Sequence, residues 1–104
     1  MSNLKIYDKV SWHYPEGKSP DLSSALNHFF VIMDWLNEHN LLTTEGKEIF
    51  DLGISPDFSI TSAMVTLKGN ELLNKYYSKW IKNIDGKTKN EMLDIWEKLI
   101  ANSF

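Results

Sequence analysis

Apolar residues recur at helical spacing in four stretches of this chain, and helix start and stop signals separate them. The first stretch holds Leu22, Ala25, Leu26, Phe29, Phe30, Ile32, Met33 and Leu36, behind Ser19-Pro20. A serine N-cap with proline at the first helical position predicts a helix of about five turns, ending near Asn40. It is apolar over more than half its circumference, which makes it the central helix, contacted on several sides. A second helix is predicted from Thr43 to Gly53, with Ile49, Phe50 and Leu52 facing inward. The third starts at Thr66 and ends at Asp85-Gly86. Its pairs Leu72/Leu73, Tyr76/Tyr77 and Trp80/Ile81, followed by Ile84, are the strongest periodic signal in the chain. The last helix opens on a capping box, Thr88-Lys89-Asn90-Glu91, with Met92, Trp96, Leu99 and Ile100 as its inner stripe.

Between these stretches the pattern changes. Residues 1–19 are loop-like and aromatic, and the alternation of Val10, Trp12 and Tyr14 suggests a short strand. Pro56-Asp57 marks a turn. Phe58 to Val65 reads two ways: its Ile, Thr and Val content suits a strand, and the spacing of its Ser and Met residues permits one helical turn. With 104 residues and no linker, residues 1–104 read as a single globular domain. The fold class is mainly α: a compact bundle of about four helices, with the aromatic N-terminal segment packed across it and room for one short strand or hairpin. Trp35 and Trp80 are core or near-core residues.

One segment is repeated. Leu42-Thr43-Thr44-Glu45-Gly46-Lys47-Glu48-Ile49-Phe50 echoes Val65-Thr66-Leu67-Lys68-Gly69-Asn70-Glu71-Leu72-Leu73 at an offset of 23 residues. The plainer reading is two helices that begin alike. The sharper one is an anion site, because glycine at the third helical position lets a ligand approach the free N–H groups. The Leu-Thr-x-x-Gly pattern also resembles a helix start in winged-helix DNA-binding proteins.

Composition narrows the function classes. The longest unbroken apolar run, Phe29 to Met33, is too short to span a bilayer. Met1-Ser2-Asn3-Leu4-Lys5 lacks the apolar region of a secretory signal, so a cytoplasmic location is expected. With no cysteine, disulfides, thiol catalysis and Cys-ligated zinc are excluded. The net charge is −3 and every basic residue is lysine, which disfavours nucleic acid, since arginine supplies the forks that grip phosphate and guanine. Residues 1–67 carry a net of −5 and residues 68–104 a net of +2, a dipole able to orient a partner. Abundant Lys and Asn suit an AT-rich bacterial genome.

Searches for catalytic chemistry return little. His28 and His39 lie eleven residues apart on one helix, about 16 Å along its axis, too far to share a metal. No nucleophile elbow or phosphate-cradling loop occurs. Paired carboxylates such as Glu45/Glu48 and Asp94/Glu97 fall on exposed helix faces. No catalytic residue, metal ligand or cofactor is assigned. The candidate binding residues are Tyr7, Asp8, Trp12, His13 and Tyr14, which gather aromatic and polar groups in one segment. Trp and Tyr there can serve as binding anchors or fold back as a lid that completes the core.

These same residues carry a resemblance. Tyr7-Asp8-x-x-Ser11-Trp12-His13-Tyr14, with Asp34-Trp35-Leu36 and Asn40-Leu41-Leu42 beyond it, resembles a family of small bacterial domains of unknown function that open with Tyr-Asp-x-x-Ser-Trp-His-Tyr. The resemblance covers most of residues 6–80. The turn Pro15-Glu16-Gly17-Lys18 departs from it, where many relatives carry a Gly-Gly/Asp stretch. Domains of this type sit among proposed toxin-immunity proteins, which by analogy implies a protein partner. The leading expectation is therefore a non-catalytic protein-binding module, with an immunity-type inhibitor as its narrower form and a protein partner or homo-oligomer as its complex. The alternatives are a winged-helix-like DNA-binding regulator and a small-molecule or enzyme site under the N-terminal aromatic segment, formed by Asp8, His13 and a helix carboxylate.

Overall fold

Four helices and a two-stranded antiparallel sheet make up the computed structural model, which describes residues 5–10, 22–54, 58–84 and 86–103. Strand β1 is Ile6–Lys9 and helix α1 is Leu22–Glu38. Helix α2 is Thr44–Leu52, and strand β2, Ser59–Thr61, runs into a 3-10 turn at Ser62–Met64. Helix α3 is continuous but changes pitch: Leu67–Leu72 is α-helical, Leu73–Tyr77 is a π-helical turn, and Ser78–Asn83 is α-helical again. Helix α4 is Lys89–Ile100. The fold is thus mainly α, with one short sheet.

The caps at Thr43, Thr66 and Thr88 form as expected. Each threonine accepts a hydrogen bond from the third residue of its helix, and the Glu91 carboxylate accepts one from the Thr88 N–H to complete the box. Helix α1 closes with Asn40 in the left-handed region, φ 58°. There the Leu41 N–H reaches the Leu36 carbonyl at 2.8 Å and the Asn40 N–H reaches that of Asn37 at 3.2 Å, a Schellman closure.

Phe58–Val65 satisfies both of its readings in turn, strand first and helical turn second. The described N-terminal strand is Ile6–Lys9, and Val10 is buried beyond its end, with its N–H on the Phe58 carbonyl at 3.0 Å. Trp12 and Tyr14 lie outside the described residues, as do Ser19-Pro20, Pro56-Asp57 and Asp85. Leu52 does not face inward: it is 87% exposed, while Ile49 and Phe50 are half-buried. The face of α2 that packs is set by Gly46, and Leu52 stands about 120° round the helix from it.

The repeat has a structural cause. Leu42 and Val65 pair as an antiparallel β-bridge. The Thr43 N–H donates to the Met64 carbonyl at 3.0 Å, and the Thr66 N–H donates to the Leu41 carbonyl at 2.8 Å. Under the 23-residue offset each of these bonds maps onto the other, so the two helix starts are related by a local two-fold. Each glycine packs on the backbone of the opposite copy. A Cβ on Gly46 would lie 2.9 Å from the Met64 carbonyl carbon and closer still to its oxygen; one on Gly69 would lie 3.1 Å from the Leu41 oxygen. The anion reading is therefore corrected. Backbone fills the space before each glycine, and the Gly46 and Gly69 N–H groups already donate to Thr43 and Thr66.

The core lies where α1, α3 and α4 meet. Trp35, Trp96, Trp80 and Tyr77 form a run of rings, each 5.6 Å from the next between centroids. The Trp80 indole N–H donates to the Met92 carbonyl at 2.8 Å, locking α3 to α4. Met92, Trp96 and Ile100 of the predicted α4 stripe are buried, and Leu99 is half-buried.

The clasp generates a test in which context opposes propensity. Alanine in a helix interior is favoured over glycine by about 1 kcal/mol. At Gly46 the clash is with rigid backbone, so Gly46→Ala is expected to lose a net of about 1–3 kcal/mol. At Gly69 the contacts are looser, and Gly69→Ala is expected to stay within about 1 kcal/mol of wild type. Urea unfolding of both variants checks the order.

Candidate functional site

Asp8 is an acidic residue at an inward position of a strand, 2% exposed. Its direction is set by a bulge. Ile6 pairs with Thr61 and Asp8 with the adjacent Ile60, so Tyr7 is an extra residue in β1. The Asp8 carboxylate is hydrogen-bonded at both oxygens. Oδ1 accepts from the Lys9 N–H at 2.9 Å. Oδ2 accepts from the Tyr77 hydroxyl at 2.6 Å and faces His28 Nε2 at 3.0 Å. A carboxylate only accepts, so His28 Nε2 is the donor in this contact.

Each partner comes from a different helix. His28 is on the inner face of α1, 6% exposed, against Phe29 and edge-on to Trp80. Tyr77 is the last residue of the π-helical turn, where α3 meets β1, and is 4% exposed. Such turns are rare and occur often at functional sites. Burial, and then the adjacent Asp8 charge and hydrogen bond, push the Tyr77 phenol well above its ordinary value. Burial also raises that of Tyr7. The Tyr7 hydroxyl donates to the Asn70 side-chain oxygen, tying the bulge to the first turns of α3.

Of the candidate residues, then, the structure places Tyr7 and Asp8 side by side in β1, facing α3. Trp12, His13 and Tyr14 lie outside the described residues. The expected convergence of Asp8 with His13 and a helix carboxylate falls outside the described residues; among those described, the side chains bonded to Asp8 are His28 and Tyr77. Sequence reasoning missed both. The available signal was a histidine at the apolar spacing of α1, three residues after Ala25 and four before Ile32. Tyr77 stood in the α3 stripe and read as core.

Beside this network lies a half-open cleft of about 320 Å³ between β1 and α3. Ile6, Leu73 and Ile81 supply its apolar surface, Asp8 and Tyr77 sit in its wall, and Lys5 and Lys82 border it. A second depression of about 280 Å³ separates α1 from α4, lined by Phe30, Asp34, Glu38 and Lys89 among others. Among the described residues no three His, Asp or Glu side chains gather as a metal site, and no helix is long and apolar enough to cross a membrane. Comparison with protein-family models, curated proteins and solved structures finds no match to this chain.

Removing the shared acceptor takes a partner from both His28 and Tyr77. Asp8→Ala is expected to lose about 3–5 kcal/mol of folding stability, measured by urea unfolding at neutral pH. Tyr77→Phe removes one hydrogen bond to a charged group and is expected to lose about 1.5–3 kcal/mol.

Alkaline pH supplies a separate test. The unfolded chain releases the Tyr77 proton near pH 10, and the folded chain holds it to higher pH. Stability is therefore full below about pH 10 and falls as pH rises beyond it. Tyr77→Phe should flatten that fall, read as Tm against pH from 8 to 11. An unchanged slope would remove Tyr77 as its source.

Proposed function

We propose that the chain is a non-catalytic protein-binding module. The observation that carries this reading is the anchoring of β1. A buried carboxylate, bonded to α1 and α3, fixes the strand that presents Tyr7 and leads directly into Trp12, His13 and Tyr14. A strand held in place beside the candidate segment supports binding, because ordering costs less where part of a surface is fixed beforehand. The engagement of both Asp8 oxygens favours binding over acid–base work, since the carboxylate is already an acceptor for three donors. The Leu-Thr-x-x-Gly helix starts, which motivated a DNA-binding reading, are accounted for by the backbone clasp. The narrower reading, an immunity-type inhibitor in the bacterial cytoplasm, rests on the resemblance of the Tyr7–Tyr14 octet.

Affinity capture from lysate of the source organism, read by mass spectrometry, tests the module. One stoichiometric protein partner is expected. Trp12→Ala and His13→Ala should weaken its capture at least ten-fold while the circular dichroism spectrum and Tm stay at wild-type values. Capture unaffected by both substitutions would take this segment out of the interface. Recovery of the chain alone, or only of further copies of itself, would overturn the reading.

A further inference from the structure

We propose that the cleft between β1 and α3 receives an acidic segment of a partner protein, which inserts one apolar side chain between Ile6, Leu73 and Ile81 and sets its carboxylates against Lys5 and Lys82. This rests on the binding-module reading and gives it a surface and a chemistry.

The volume, about 320 Å³, is at the low end for a ligand pocket. It suits a single large side chain, and a half-open shape leaves a path for the rest of the segment. The polar groups in the wall are satisfied internally: the Tyr77 hydroxyl donates to Asp8, and Asp8 also holds His28. The wall therefore meets an incoming group mainly as ring and aliphatic carbon. Ile6 is 37% exposed at the edge, so apolar surface is already presented to solvent there.

Charge selects the occupant. The chain as a whole is net −3, yet the charged side chains described at the rim of this cleft, Lys82 of α3 and Lys5 on the opposite bank, are both cationic, and the Lys5 ammonium is held on the Asn74 side-chain oxygen. The one carboxylate among the described residues of the cleft, Asp8, is buried and turned to His28 and Tyr77. An acidic segment is thus drawn to this side of an otherwise acidic protein, and a basic one is repelled. The π-helical turn contributes shape, because it sets Leu73, Asn74 and Tyr77 along one bank.

The test uses a display library of nine-residue peptides selected on the full chain, followed by fluorescence anisotropy with the most enriched peptide. Selection is expected to enrich acidic residues flanking one aliphatic or aromatic residue. Binding should weaken at least ten-fold in Lys5→Glu/Lys82→Glu, recover within about three-fold in Lys5→Arg/Lys82→Arg, and fall with added salt. Both lysines are exposed, and wild-type Tm values would show that the variants fold. No enrichment, enrichment without acidic residues, or a peptide indifferent to charge reversal would overturn the proposal.

The same variants separate this failure from that of the module. A partner captured from lysate equally well by wild type and Lys5→Glu/Lys82→Glu would overturn the cleft and leave the module standing. Absence of any partner, with no peptide selected, would overturn both.

Discussion

A carboxylate removed from water must find compensation inside the protein, and the placement of Asp8 dictates much of the local geometry. Burying an unpaired charge is prohibitive, so the charge must meet donors of fixed geometry. Among the described residues they come from three places: the adjacent backbone at Lys9, α1 through His28, and α3 through Tyr77. Meeting them accompanies two local irregularities, the bulge at Tyr7 in β1 and the π-helical turn ending at Tyr77. Each disturbs a regular element. They occur on facing segments and serve one contact, which makes them two halves of a single accommodation.

The clasp solves a different problem, how to hold a nine-residue helix. Helix α2 is too short to be stable on its own propensity, and most of its residues are exposed or half-buried. Its start is instead built into a backbone bridge with the start of α3, through Leu42 and Val65 and two reciprocal hydrogen bonds. Glycine at the third helical position suits the close approach, because a Cβ on Gly46 would overlap the Met64 carbonyl and one on Gly69 would crowd Val65 and the Leu41 carbonyl. Two copies of one motif thus make a contact that neither could make alone.

What could be read in advance follows from the kind of interaction involved. Helix starts are local chemistry: Thr43, Thr66 and Thr88 are legible as caps because donor and acceptor lie within one turn. The apolar stripes of α1, α3 and α4 are legible because burial follows helical period. Strand β1 was hidden because its inward residue is an aspartate, which turns Ile6-Tyr7-Asp8-Lys9 into a polar-looking run whose logic lies 20 and 69 residues away. The change of pitch in α3 was hidden because Leu72/Leu73, Tyr76/Tyr77 and Trp80/Ile81 fit an ordinary helix equally well. Leu52 misled for the opposite reason: an apolar residue at the end of a short helix was read as core, when the packed face was set by a glycine that hydropathy ignores. The candidate site was half legible. Tyr7 and Asp8 are singled out in the sequence, but as part of a candidate binding segment or lid rather than as a buried anchor and its neighbour.

The buried network and the cleft are connected by this same economy. Were Asp8 open to the cleft, the wall would present an uncompensated negative charge between Lys5 and Lys82 and would repel any anionic group drawn there. Because Oδ2 is turned to His28 and Tyr77, the charge is held on the core side, and the bank facing solvent is left to Ile6, Leu73 and Ile81. The lysines then act on an apolar wall of low dielectric, where their field is screened less than on an open surface. The interaction that fixes β1 in the fold is therefore also what allows the surface beside it to be apolar in the middle and basic at its edges.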